Sequence, residues 1–496
     1  MITVFVLGDQ LDTMLTALAE STPATHRVLM VESASKLASK RWHIQRAHFV
    51  IASMRRFAQQ LRADGFEVDY RPSHSLASGL AAHRREFGPE AVIATEPASR
   101  DGLAMLHRHH VTVRRTNQFL CHPEEFATWA GQRTTFKMED FYRWQRRRVG
   151  YLMDGPEPAE GRWNFDAENR LPPPKDGRNH WPEPLRDDLD DLDRAVVAEL
   201  RGHCWGAEPD GTWATTRAGA LARLDHFVHN VLAGFGPHED AMTTASWHVG
   251  HSMLALYLNI GLLRPDEVCD AADDAYRSGE VPIASAEGFI RQVIGWREFV
   301  WGVYWLWGPD YGKRNALDAQ RPLPPALLGR APTQMRCVAQ TLQTLRDHGW
   351  VHHIQRLMIL GNLALLAGVD PQAMTEWMWA NFVDAAEWVM VPNVVGMSLH
   401  ADGGQMATKP YAAGGAYINT MSDYCKGCRY DRKQRTGPDA CPFTTLYWDF
   451  LARHDQRFAR NPRVVRQVRA AQQLGDLAAV RIRAREVLTL LDAGEL

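Results

Sequence analysis

Along the first 130 residues the apolar positions come in short unbroken runs, each closed by an acidic or turn residue. Residues 3–7 form one such run and end in Gly8-Asp9-Gln10-Leu11. Residues 28–31 stop at Glu32, residues 91–95 at Glu96-Pro97, and shorter runs cover 67–70 and 112–114. Between them, residues 49–61 repeat at helical spacing. Strand–helix alternation of this kind predicts a doubly wound parallel sheet, in which small ligands sit outside the carboxyl ends of the strands. Asp9, Gln10, Glu32 and Glu96 all fall at those ends. Each alone is most simply a helix cap or turn residue, but together they suggest a pocket for a polar, weakly charged ring. No G-x-G-x-x-G follows the first strand, which argues against a dinucleotide-type pyrophosphate cradle.

The pattern then changes. Arg143–Arg148 form a basic run with an aromatic inside it, suited either to phosphate contacts and base stacking or to a solvated helical face. Residues 161–184, rich in Pro, Asn and charge, read as a linker laid over the surface. From about 215 every readable segment is helical: 216–234, 248–263, 286–307, 336–345, 351–367, 372–382 and 444–453. Residues 384–417 are the exception, a glycine-rich stretch carrying Glu387, Asn393, Asp402, Lys409 and Tyr411. A long loop of this kind inside a helical domain is more often functional than idle. The expected organisation is an α/β domain over 1–130, a connecting segment over 131–214 and a large all-α domain over 215–496.

Composition narrows the function classes. A formal net charge of −2 over 496 residues gives no global basic bias, so any nucleic-acid contact must come from local patches. Seven cysteines without paired spacing argue against a secreted disulfide framework. The N-terminus lacks the features of a signal peptide, and no run approaches the roughly 18 apolar residues of a membrane span. A cytoplasmic protein without membrane contact is expected, as a monomer. The most specific stretch is 421–447, where Cys425 and Cys428 form a C-x2-C pair and Cys441 is followed by Pro442. Two thiolates at that spacing can reach one metal centre from a single turn, and a Cys-Pro last ligand is a habit of iron–sulfur sites. Cys337 is the best fourth donor. A zinc knuckle and an unligated loop remain the alternatives on spacing alone.

Several motifs carry a family resemblance. Trp296-Arg297-Glu298-Phe299 matches the W-R-E-F of photolyases and cryptochromes. His251-Ser252-Met253-Leu254, with Tyr257, Leu258 and Gly261, stands where that superfamily has its flavin-phosphate helix. His352-His353-Ile354-Gln355-Arg356 is similar to the H-H-L-A-R of the (6-4) photolyases. With GRWNFDAENR, KPYAAGG and MSDYCxxCRYD added, the chain resembles the iron–sulfur bacterial cryptochromes and photolyases over nearly all of residues 1–455.

The resemblance implies photolyase/cryptochrome architecture with three cofactors. FAD would sit in the helical domain, a [4Fe-4S] cluster beside it on Cys337, Cys425, Cys428 and Cys441, and 6,7-dimethyl-8-ribityllumazine as antenna on Asp9, Gln10 and Glu32. His251, Ser252, Met253 and Leu254 would meet the flavin phosphates, Gln292, Trp296 and Arg297 would wall the pocket, and Asn393 would lie near the reactive flavin edge. Arg356 is expected to pair with Glu387. His353 would be the proton donor, with His352 beside it and Tyr411 on the lesion; Trp377 would pass electrons. The implied activity is light-driven repair of (6-4) pyrimidine–pyrimidone photoproducts in UV-damaged DNA. Departures from the pattern favour the alternative, a blue-light photoreceptor that repairs nothing: Met378 and Gly329 stand where relatives have electron-carrying aromatics, and Met390 where they have an acid.

Overall fold

The computed structural model describes residues 1–131, 133 and 137–496. Five parallel strands, β1 (Ile2–Val6), β2 (His26–Ser33), β3 (Glu67–Ser73), β4 (Val92–Thr95) and β5 (Thr112–Arg114), form one sheet in the order β3-β2-β1-β4-β5. The order reverses between β1 and β4, where a crevice opens at the carboxyl ends in sheets of this type. Phe5, Val28, Leu29, Met30 and Ala94 are fully buried, as expected of strands covered by helices on both faces.

The segment between the domains is not simply draped over the surface. The helix Met138–Val149 buries Phe141 and Tyr142 against the helical domain. Arg146, in the basic run, is fully buried, and its guanidinium donates to the carbonyls of Tyr151, Leu152 and Trp163. It is therefore a structural clamp, and only Arg147 and Arg148 of that run are exposed. The helix Asp191–Leu200 turns back onto the α/β domain, where Asp193 meets His48 at 3.0 Å and Arg56 at 2.9 Å. The helix Pro123–Ala130 presses Phe126 against Gly302, where a Cβ would lie 2.2 Å from the ring.

The rest is helical, with π-helical turns where site residues fall. Arg291–Arg297 carries Gln292, Trp296 and Arg297; Gln355–Gly361 carries Arg356; Pro392–Ser398 carries Asn393. Such turns reset which side chains face inward and gather at functional sites. Two expectations fail here. The helix expected from 248 starts only at Ala255. Before it, Val249 and Met253 hold φ of 51° and 54°, a strained region for side chains with a Cβ. The stretch expected to be irregular begins with the helix Glu387–Val391, and becomes irregular only after Ser398.

Candidate functional site

Three histidines meet in the helical domain. The rings of His251 and His352 stack at 4.6 Å, and that of His353 stands edge-on to His251 at 5.2 Å. His352 is buried and neither ring nitrogen has a partner; His251 Nε2 is likewise buried and unpartnered among the described residues. Burial, then the neighbouring imidazoles, holds both pKa values well below the ordinary 6.5, so both rings are neutral at neutral pH. His353 differs, with half of its side chain exposed and its Nε2 at 3.6 Å from Asp240 Oδ1. The site thus joins two dry, neutral imidazoles to one that reaches solvent beside a carboxylate.

An acid behind His353 was not anticipated from the sequence. Glu239 is only 7% exposed. Burial pushes its carboxyl up to about 7, against the pull of His353 and Arg291 and with the help of Asp240 and Asp166. It accepts a 2.9 Å hydrogen bond from Gln292, whose amide also donates to the Gly288 carbonyl. Tyr411 belongs to the same neighbourhood: burial raises its phenol, Asp240 raises it further, and Arg463 and Arg170 oppose. Lys409 stands 5.9 Å from the Tyr411 ring. The structure therefore gathers His251, His352, His353, Gln292 and Tyr411, with Glu239 and Asp240 joining them. The available signal was an acidic pair just ahead of an apolar stretch.

Other expected residues lie elsewhere around the helical core. Arg356 does not pair with Glu387. Its guanidinium grips Asp384 with two bonds of 2.9 and 3.0 Å, donates to the Val351 carbonyl and stacks on Phe382. Glu387, three residues on, accepts from the Tyr304 hydroxyl at 3.2 Å, on the side where Lys36 and Arg100 of the α/β domain lie. Its carboxyl is raised by burial, with Lys36 and Arg100 acting against this. Arg297 pairs with Glu298 and lies 4.1 Å over the Phe119 ring. Asn393 donates back to the Val389 carbonyl at 2.8 Å. Ser252 and Met253 line a hollow with His248, His251 and Tyr257, and Leu254 is buried behind them. Trp296 packs half-buried near Phe299. Trp377 donates its indole N–H to the Leu327 carbonyl and meets Phe382 at 6.2 Å.

The four expected cysteines line one hollow with Tyr424, Tyr430 and Arg432. Burial raises the Cys337 thiol, and the charges of Cys441, Cys425 and Cys428 raise it further; Cys425 is pushed up to about 11. A Cβ on Gly415 would stand 3.0 Å from Cys441 Sγ, so glycine leaves the rim open. Thiols that resist ionising beside one another ionise readily around a cationic centre. Among the described residues no three His, Cys, Asp or Glu close around a single-ion position.

At the sheet, Gln10 donates to the Thr95 and Glu96 carbonyls and ties the ends of β1 and β4 together. Burial raises the Asp9 carboxyl despite Lys36 nearby. Glu32 is already engaged, by Arg55 through two bonds of 2.7 and 3.1 Å and by the Tyr70 hydroxyl. No helix of the described residues is long and apolar enough to cross a membrane.

Known proteins resemble this chain at several levels. Residues 4–207 match the family of deoxyribodipyrimidine photo-lyase-related proteins. In solved structures the fold is similar to a class III photolyase from Agrobacterium tumefaciens, with TM-score 0.58, 17% identity and coverage of 99% of this chain and 98% of that one. It is also similar to the cryptochrome of Synechocystis sp. PCC6803, with TM-score 0.54, 14% identity and coverage of 80% and 82%. These two establish the architecture, an α/β domain joined to a helical one. Sequence goes further, since the (6-4) photolyase of Agrobacterium fabrum strain C58 is 41% identical over 474 residues, 93% of each chain. Identity at that level over almost the whole chain means that it belongs to the (6-4) photolyase family.

Proposed function

We propose that this protein repairs (6-4) pyrimidine–pyrimidone lesions in UV-damaged DNA, driven by light. The observation that carries the reading is the histidine site: a half-exposed His353 backed by dry His352 and His251, with Asp240 and Tyr411 beside it. FAD fits the helical core, because buried ring nitrogens of His251 and His352 have no partner among the described residues and such atoms are costly to leave unbonded. Ser252, Met253 and Leu254 would contact its phosphates, with Gln292, Trp296, Arg297 and Asn393 around it. When bound and reduced, the flavin supplies one electron on excitation.

The chain's own residues do the rest. The damaged pair must leave the stack to reach a buried site, and Tyr411 offers it a ring and a hydroxyl. His353 holds a proton on Nε2 and gives it to the lesion oxygen as that oxygen moves between rings, a task suited to an imidazole. Asp240, 3.6 Å from that nitrogen, orients the ring. His352 packs behind as an uncharged wall. The photoreceptor alternative has its support in Met378, Gly329 and Met390, but those residues bear on how the flavin is reduced and leave the proton-transfer site intact.

Cys337, Cys425, Cys428 and Cys441, which line one hollow, would hold a [4Fe-4S] cluster, and the Cys441-Pro442 step supports this over zinc. A lumazine antenna fits less well: of Asp9, Gln10 and Glu32, only Asp9 lacks a strong side-chain partner among the described residues, so no step is assigned to it.

The test replaces His353 by Ala in flavin-loaded, prereduced protein. Repair of a (6-4) substrate should vanish while flavin content stays at the parent level. Thymines restored at the parent rate would remove His353 from the chemistry.

A further inference from the structure

Arginines recur at every third position from 457 to 469: Arg457, Arg460, Arg463, Arg466 and Arg469. No acidic residue occurs between 456 and 475. All five are exposed, and none makes an ion pair or side-chain hydrogen bond among the described residues. Their neighbours behave differently. Arg453 is paired with Asp449, Arg435 with Asp476 and Arg483 with Glu486. Five unpaired cations within thirteen residues repel one another, in a chain whose net charge is only −2, and so call for an anionic partner.

The segment is firmly seated and adjoins the repair site. Phe458, Val464 and Val468 are buried, and the Phe458 ring packs on His400 at 5.6 Å. Asn461 donates to the Thr408 carbonyl at 2.8 Å, one residue from Lys409. The charge of Arg463 is felt at the Tyr411 phenol. Arg466 and Arg469 lie on the helix Val465–Gln472, away from its buried Val468 and Ala471. The row therefore passes the residues expected to receive the lesion at Arg463 and continues along the helix Val465–Gln472.

We propose that these arginines form a track for the phosphodiester backbone of the DNA flanking the lesion. The assignment rests on the reading of the protein as a DNA-repair enzyme. Arginine suits the role, because its planar fork matches phosphate oxygens, and such contacts set affinity and position without reading sequence.

The test is the variant Arg460→Gln, Arg466→Gln, Arg469→Gln, which spares Arg463 beside Tyr411. Unchanged flavin content and melting temperature would show that it folds. Each lost phosphate contact lowers the slope of log affinity against log salt by about 0.9, so the slope should fall by about 2.7. Between about 50 and 200 mM salt the parent should then lose about 40-fold more affinity than the variant. The loss should be equal on lesion-bearing and undamaged duplex, leaving the preference for the lesion unchanged. Equal slopes for parent and variant would overturn the track, as would a variant that lost lesion preference instead. Tighter parent binding to undamaged RNA than to duplex DNA, abolished in the variant, would reassign the surface and overturn it too. A parent that repairs in light while slopes match refutes the track alone. A parent whose slope falls in the variant but that repairs nothing refutes the proposed function and leaves the track standing.

Discussion

Glu239 is a buried group through which pH should act on the stability of this protein. Its carboxyl moves from an ordinary 4.5 to about 7 because burial penalises the charged form. At about 1.4 kcal/mol per pH unit, that displacement corresponds to about 3 kcal/mol. The group is 7% exposed, so solvent screening takes little from the figure. Between pH 4.5 and about 7 the folded protein keeps the proton and the unfolded chain has lost it. Folded protein binds more protons in that window, and stability must fall as pH rises through it.

Glu239→Gln removes the titration while keeping an oxygen to accept from Gln292. The parent should lose about 3 kcal/mol relative to the variant between about pH 4.5 and pH 7, with little further change above. Melting temperatures of both proteins across about pH 5 to pH 8 measure this, and the difference between the curves should amount to several degrees. The infrared band of a protonated carboxyl, present in the parent at pH 6 and absent from the variant, would assign the group directly. Parallel melting curves across the window would refute the reasoning, because they would mean that Glu239 titrates alike in folded and unfolded chains.

Two further outcomes are expected. Cys425→Ser should remove most of the bound iron and lower soluble yield, since the centre would tie Cys337 to residues almost ninety positions away; iron analysis and yield check it, and parent-level iron would exclude Cys425 as a ligand. Asp384→Asn should cost about 3–5 kcal/mol, because Arg356 would be left without its partner in a site where the two side chains are only 17% and 9% exposed. Thermal unfolding measures the loss, a cost under about 1 kcal/mol would place the pair with surface ion pairs, and adding Arg356→Gln should restore part of it.

The sheet was legible because strands buried on both faces read as unbroken apolar runs, and the residues ending those runs do end the strands or follow them closely. That Cys425, Cys428 and Cys441 share one hollow was legible because their spacing is local, whereas Cys337 joins them from a separate helix. Helix bounds were less so. Residues 248–254 are apolar at helical spacing, yet Val249 and Met253 adopt positive φ; a hydrophobic period records which side is buried and says nothing of the dihedrals that put it there. Arg146 shows the same limit with charge. Its neighbours on either side suggested phosphate contact, but three backbone carbonyls meet it inside the protein, and carbonyls have no signature in sequence.

Which acid meets which base was the least legible part. Asp384 and Glu387 are three residues apart, and either could have partnered Arg356. The helix Glu387–Val391 begins between them and turns Glu387 toward Tyr304, leaving Asp384 to the guanidinium. Glu239 and Asp240 are adjacent, yet only Glu239 is buried. Burial raises its carboxyl, while its neighbour lies nearer solvent and faces His353 at 3.6 Å. The site thus separates two carboxylic acids by environment, one buried and holding a proton near neutrality, the other nearer solvent and 3.6 Å from His353. That separation is a property of tertiary packing.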